Sequence, residues 1–97
     1  MTSPQAHDDA EVADLVARAA LGVEGVADLH GGSLGEVGTY LPGRRVTGVR
    51  VGDGGTTVHL VVAFDADLHQ VADRVRLAVS AVAPVPVEVV VEDVATP

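Results

Sequence analysis

Two valine-rich stretches meet at Gly52-Asp53-Gly54-Gly55, and that junction restricts the fold more than any other feature of the chain. Gly and Asp tolerate the positive φ of a tight hairpin turn. On either side the apolar residues recur with period two. Val46 to Val51 and Thr57 to Phe64 are therefore read as two antiparallel strands. In the second, Val58, Leu60, Val62 and Phe64 share one face, while Thr57, His59, Val61 and Ala63 share the other.

The period changes on both sides of this hairpin. Val12, Leu15, Val16, Ala19 and Val23 recur at helical spacing and predict a helix over about residues 9–21. Asp8 with Glu11 offers a capping box at its start, and Gly22 a left-handed stop. Leu68, Val71, Ala72, Val75, Ala78, Val79 and Val82 form a second stripe, with Asp67 as cap and Gln70 in the capping-box position; Pro84 and Pro86 end it. Gly25 to His30 reads as a short strand. Val87 to Val94 is a last strand, with Val87, Val89 and Val91 on one face and Glu88, Val90 and Glu92 on the other. Gly31 to Arg45, with five Gly and one Pro, is expected to be a long loop.

The expected architecture is α+β in two layers, in the order α-β-β-β-α-β, with both helices on one face of a small mixed sheet. The strand–helix–strand unit at the end makes its two strands parallel. A chain of 97 residues suits one such domain, placed at 9–95 after a disordered segment 1–8.

Composition narrows the function. Fourteen acidic residues face six Arg and no Lys, a net charge of −8. Such a chain is repelled by phosphate backbones and by anionic lipid headgroups. With no Cys it has no disulfide, thiolate metal site or thiol nucleophile. The N-terminus lacks the basic and apolar regions of a secretory signal, and no apolar run is long enough to span a bilayer, so the expected compartment is the cytoplasm. The Arg-only, Val- and Ala-heavy usage also fits a GC-rich bacterial genome.

Several stretches carry a family likeness: Gly22-Val23-Glu24-Gly25-Val26, Tyr40-Leu41-Pro42-Gly43-Arg44-Arg45-Val46, Gly48-Val49-Arg50-Val51 and the closing Val87-Glu88-Val89-Val90-Val91-Glu92-Asp93-Val94. Over roughly residues 9–95 the chain resembles the alkaline shock protein twenty-three family of bacterial envelope stress response proteins, in a short single-domain form. The resemblance implies a cytoplasmic, self-associating protein, held at the membrane by a small membrane-anchored relative and linked to envelope homeostasis. It brings no catalytic residues. The Lys-rich tails of some longer members are missing here.

Chemistry-bearing residues are sparse. His7, His30, His59 and His69 lack metal-ligand spacing, and no metal or cofactor is expected. Asp65 and Asp67 flank a helix start, where a cap explains Asp67, and Glu88 and Glu92 read as solubilising groups on one strand face. Ser33 and Ser80 have no nucleophile-elbow frame. The Gly-x-x-Gly pairs at Gly22/Gly25, Gly32/Gly35, Gly35/Gly38 and Gly52/Gly55 are weak in a chain this rich in glycine, and Glu24 occupies the middle of the first.

The expected protein is therefore no enzyme but a homo-oligomeric scaffold or adaptor that binds protein partners at the cytoplasmic membrane face. The candidate contact residues are Tyr40 with Arg44, Arg45 and Arg50, three of the six cations within seven positions, together with Leu77 on a helix face expected to be wet and Val61 and Val90 on the uncovered sheet face. Each has a plainer reading. The three Arg can neutralise neighbouring Asp and Glu, and Tyr40 can pack on the domain's own core. The alternative function is a small nucleic-acid-binding module built on the Gly-x-x-Gly loops and the three Arg.

Overall fold

The computed structural model describes residues 5–97, with side chains from Glu11 onward. The elements are helix α1 (Gln5–Leu21), strands β1 (Val26–Leu29), β2 (Gly38–Leu41), β3 (Arg44–Thr47), β4 (Val49–Gly52) and β5 (Gly55–Val62), helix α2 (Leu68–Ser80) and strand β6 (Val87–Val94). The fold is α+β, with two strands more than the periodicity suggests.

β5 is the centre of the main sheet. β4 and β1 lie in tandem along one of its edges, both antiparallel to it, and β6 runs parallel along the other. The hairpin closes as expected, with Gly52 opposite Gly55 across Asp53-Gly54. Along β5, Thr56, Val58, Leu60 and Val62 are buried, and the residues between them are half-exposed. The buried set packs with Val16 and Ala20 of α1 and Val71, Val75 and Val79 of α2. Thus both helices lie on one face of the sheet. Burial of these side chains, about 1.5–3 kcal/mol for each Val or Leu, is the main favourable term holding the two layers together.

α2 begins where its cap lies: the Asp67 carboxylate accepts the Gln70 N–H at 3.0 Å. α1 begins earlier than the capping-box reading of Asp8 and Glu11. It starts at Gln5, so Asp8 and Asp9 stand inside the helix. Gln5 and Ala6 favour the helical state well enough to extend it. Of the segment 1–8, residues 1–4 lie outside the described residues.

The stop at Gly22 also differs. Its N–H donates to Arg18 O at 2.9 Å and prolongs the helical pattern. The positive φ falls at Gly25 instead (φ 99°), where a Cβ would meet Val71 Cγ2 at 2.5 Å. Glycine is required there because the chain leaving α1 passes directly beneath α2.

The long loop 31–45 is half strand. β2 and β3 form a second hairpin, with Tyr40 opposite Arg45 and Leu41 opposite Arg44. The expected continuous strand 46–51 divides at Gly48, which has φ 80° and separates β3 from β4. Strict alternation would place Val46 and Val49 on opposite faces. The extra residue of the bulge brings both into the core, at 7% and 0% exposure. Phe64 lies past the end of β5 and is 61% exposed, so it does not join the core face expected for it.

Candidate interaction surface

The second hairpin is tied to the rest of the molecule by arginine. Arg44 makes two hydrogen bonds to the Asp14 carboxylate of α1, at 3.0 and 2.6 Å. That bidentate bond holds the Asp14 carboxyl below the usual carboxylate range against a smaller opposing effect of burial, and the charges of Arg44 and Arg18 add to the lowering. The same bond raises the Arg44 guanidinium.

Arg45, on the other face of β3, donates to Gly35 O and to Val37 O, the latter at 2.7 Å. Its guanidinium carbon stands 5.3 Å from the Tyr40 ring centroid. A Cβ on Gly38 would come within 2.3 Å of its Nε. Gly38 and Arg45 therefore depend on each other, since the guanidinium occupies the space a side chain would fill. Arg50 donates to the Glu36 main-chain oxygen at 2.7 Å. The Glu36 carboxylate turns back onto its own loop and accepts the Leu34 N–H at 2.9 Å. Its own N–H and that of Leu34 are the main causes of its lowered pKa, with the Arg50 and His59 charges adding to them.

Each of the three arginines thus has acceptors within this chain, but only Arg44 meets a carboxylate; Arg45 and Arg50 are held by main-chain oxygens, not by neighbouring Asp or Glu side chains. Tyr40 does not pack into the core. It is 76% exposed, and Leu34, in the turn before β2, is 89% exposed. Leu77 of α2 stands out at 77% exposure, as its place opposite the apolar stripe implies, and Leu21 is 48% exposed.

The sheet face turned away from the helices is organised in cross-strand rows. Arg50, Thr57 and Glu88 form the first, across β4, β5 and β6. His59 stands opposite Val90 in the second, and its Nδ1 lies 2.6 Å from the Glu92 carboxylate, which reaches in from the same strand as Val90. Val61 occupies the third, between Asp28 and Asp93. Val61 and Val90 are diagonal neighbours, both half-buried, and form the apolar centre of a face whose border is mostly acidic. Asp28 and Asp93 next to Val61 were not foreseeable from alternation. A bulge at Val26/Asp28 and another at Leu60/Val61 set those registers.

The scattered histidines stay apart in function. His30 Nδ1 accepts the Gly32 N–H at 2.9 Å, His59 pairs with Glu92, and His69 is exposed in the first turn of α2. His7 lies outside the residues whose side chains are described. Among the described residues, no three His, Cys, Asp or Glu converge as a metal site would require. Comparison with family models, curated proteins and solved structures finds no match to this chain.

Proposed function

We propose that this protein is a non-enzymatic docking module that associates with itself and with other proteins through the sheet face opposite its helices. The observation that carries this reading is the one-sided layering. Both helices pack on the face of Val58, Leu60 and Val62, and the opposite face keeps Val61 and Val90 side by side within a charged border. An apolar centre with a polar rim is the arrangement of a protein–protein contact. Arg50 stands on this face in the row of Glu88, so a second copy brings a cation as well as acids to it.

The sequence resemblance to envelope stress response proteins, if it holds, implies that such a module works at the inner face of the membrane, in the cytoplasm, held there by a membrane-anchored protein. Two properties of the chain support attachment through a partner. No helix among the described residues is long and apolar enough to cross a bilayer, and the net charge of −8 opposes binding to anionic headgroups. The nucleic-acid alternative draws on Arg44, Arg45 and Arg50, each of which is engaged by an acceptor of this chain.

The test is Val61→Arg followed by light scattering. The side chain is at the surface of the sheet, so the variant keeps its fold by circular dichroism and loses the assembly of the wild type. An unchanged oligomer in the variant contradicts the reading.

A further inference from the structure

Among the described residues the longest unpaired strand edge belongs to β6. It runs for eight residues and pairs there with β5 alone, while the other strands at sheet margins, β1, β2, β3 and β4, have four residues each. The hydrogen-bond phase identifies the groups on that edge. Thr56 stands opposite Val87 and its N–H donates to Pro86 O at 3.0 Å. In a parallel ladder this turns the main-chain groups of Pro86, Glu88 and Val90 toward β5. Those of Val87, Val89 and Val91 turn the other way, to the free edge. Natural edge strands are commonly protected by charged side chains, above all Lys, by Pro or by covering segments. β6 has neither Lys nor Pro within it, and its charges are all of one sign: Glu88, Glu92 and Asp93.

We propose that the free edge of β6 binds an extended basic segment of a partner protein, which adds to the sheet as a further antiparallel strand. The main chain of Val87, Val89 and Val91 supplies the ladder. Charge selects the occupant. Glu88 and Glu92 project on the same side of β6, four residues apart, with Val90 between them. A strand lying alongside satisfies both by presenting Lys or Arg four residues apart, with uncharged residues between. His59 contacts one oxygen of Glu92 and leaves the other to the incoming cation. A second copy of this chain is the wrong occupant for this edge. Two β6 strands side by side bring six carboxylates and no cation of their own into one seam, and in the register about Val90 Glu88 of each stands directly against Glu92 of the other, where like charges destabilise a pair. The main-chain edge is distinct from the sheet face of the proposed assembly, although Glu88, Val90 and Glu92 project on that face; Val89→Pro alters only the edge and Val61→Arg only the face, so the two readings fail separately.

The probe is the peptide Thr-Arg-Val-Thr-Val-Arg-Thr-amide with fluorescein on its N-terminus, titrated with the full chain and followed by polarisation. A glutamate version and a version N-methylated on alternate amides are the controls. The basic peptide binds saturably, with a dissociation constant on the order of 10–100 µM, and neither control does. Val89→Pro removes one edge donor without touching the ladder to β5, because proline is tolerated where a strand's N–H faces outward. It weakens binding about tenfold or more. Glu88→Lys, at an exposed position, does the same and serves as the second variant if the proline disturbs folding. Three results overturn the proposal: no saturation by the basic peptide at about 1 mM, equal binding of the glutamate or N-methylated peptide, or wild-type binding by a folded Val89→Pro or Glu88→Lys protein. Self-association that Val89→Pro abolishes in the absence of peptide also overturns it, since the edge is then occupied by a second copy.

Discussion

Gly48 joins the two hairpins, and replacing it with alanine tests how the strands are held in register. Its φ is 80°, and a Cβ there would sit 3.0 Å from His30 N, His30 O and His59 O. All three are main-chain atoms, so no flexible side chain can swing away. Two costs follow. An L-residue in the left-handed region costs about 1–2 kcal/mol. The contacts force β1 and β5 away from the bulge and strain two bonds, His30 N–H to His59 O and His59 N–H to Gly48 O, both 2.9 Å. Each is worth about 1 kcal/mol net. The expected destabilisation of Gly48→Ala is therefore about 2–4 kcal/mol. Gly43→Ala separates the terms, because Gly43 has φ 77° and nothing within 4 Å of its Cβ position. It carries the conformational cost alone, about 1–2 kcal/mol. Urea unfolding followed by circular dichroism reads both, and with m near 1–3 kcal/mol/M the midpoint of Gly48→Ala falls by about 1 M or more. Equal midpoints for the two variants would refute the reasoning, since the bulge would then hold nothing beyond its own dihedral angle.

Other expectations follow from the same structure. Leu60 is fully buried at the centre of β5, so Leu60→Ala loses about 2–5 kcal/mol in the same assay. Leu77→Ser, at 77% exposure, leaves stability within about 0.5 kcal/mol of wild type, and a larger loss would mean that Leu77 packs within the domain. Asp14 has a pKa held below the usual carboxylate range by Arg44. Its contribution is complete above the ordinary carboxylate pKa and disappears as pH falls through the lowered value. Protection factors of the β2 and β3 amides, corrected for the intrinsic pH dependence of exchange, should fall across that acidic window, and Asp14→Asn should remove that fall. Gly38→Ala displaces the Arg45 guanidinium from its seat, so the Tyr40 ring resonances shift while the core signals remain in place.

Elements built on one period were legible in the sequence. The stripe Val71, Val75, Val79 and the Asp67 cap define α2, and the alternation through Val58, Leu60 and Val62 defines β5, because helix and strand periods are set by backbone geometry alone. What escaped notice depends on contacts between distant segments. The Gly31–Arg45 stretch shows no apolar period because β2 and β3 are short and their alternate positions hold Gly38, Tyr40, Arg45 and Thr47, not valine. The break at Gly48 was not read from the sequence, which runs 46–51 as one strand, because nothing local shows that Val46 and Val49, three apart, both enter the core. The arginine cluster was seen, but its partners were not: Asp14 lies 30 residues from Arg44, and Gly35 and Val37 offer only main-chain oxygens. The semi-apolar sheet face was anticipated from Val61 and Val90. Its flanking Asp28 and Asp93 were not, because bulges in two other strand pairings put them there.

The central claim is that the sheet face away from the helices is where copies of this protein meet, and a dilution series of nitrogen–proton correlation spectra tests it residue by residue. The account predicts concentration-dependent shifts at the amides of Thr57, His59, Val61 and Val90, with the exposed positions of α2 around Leu77 silent. Spectra that do not change with concentration, or changes that gather on α2 instead, would contradict it.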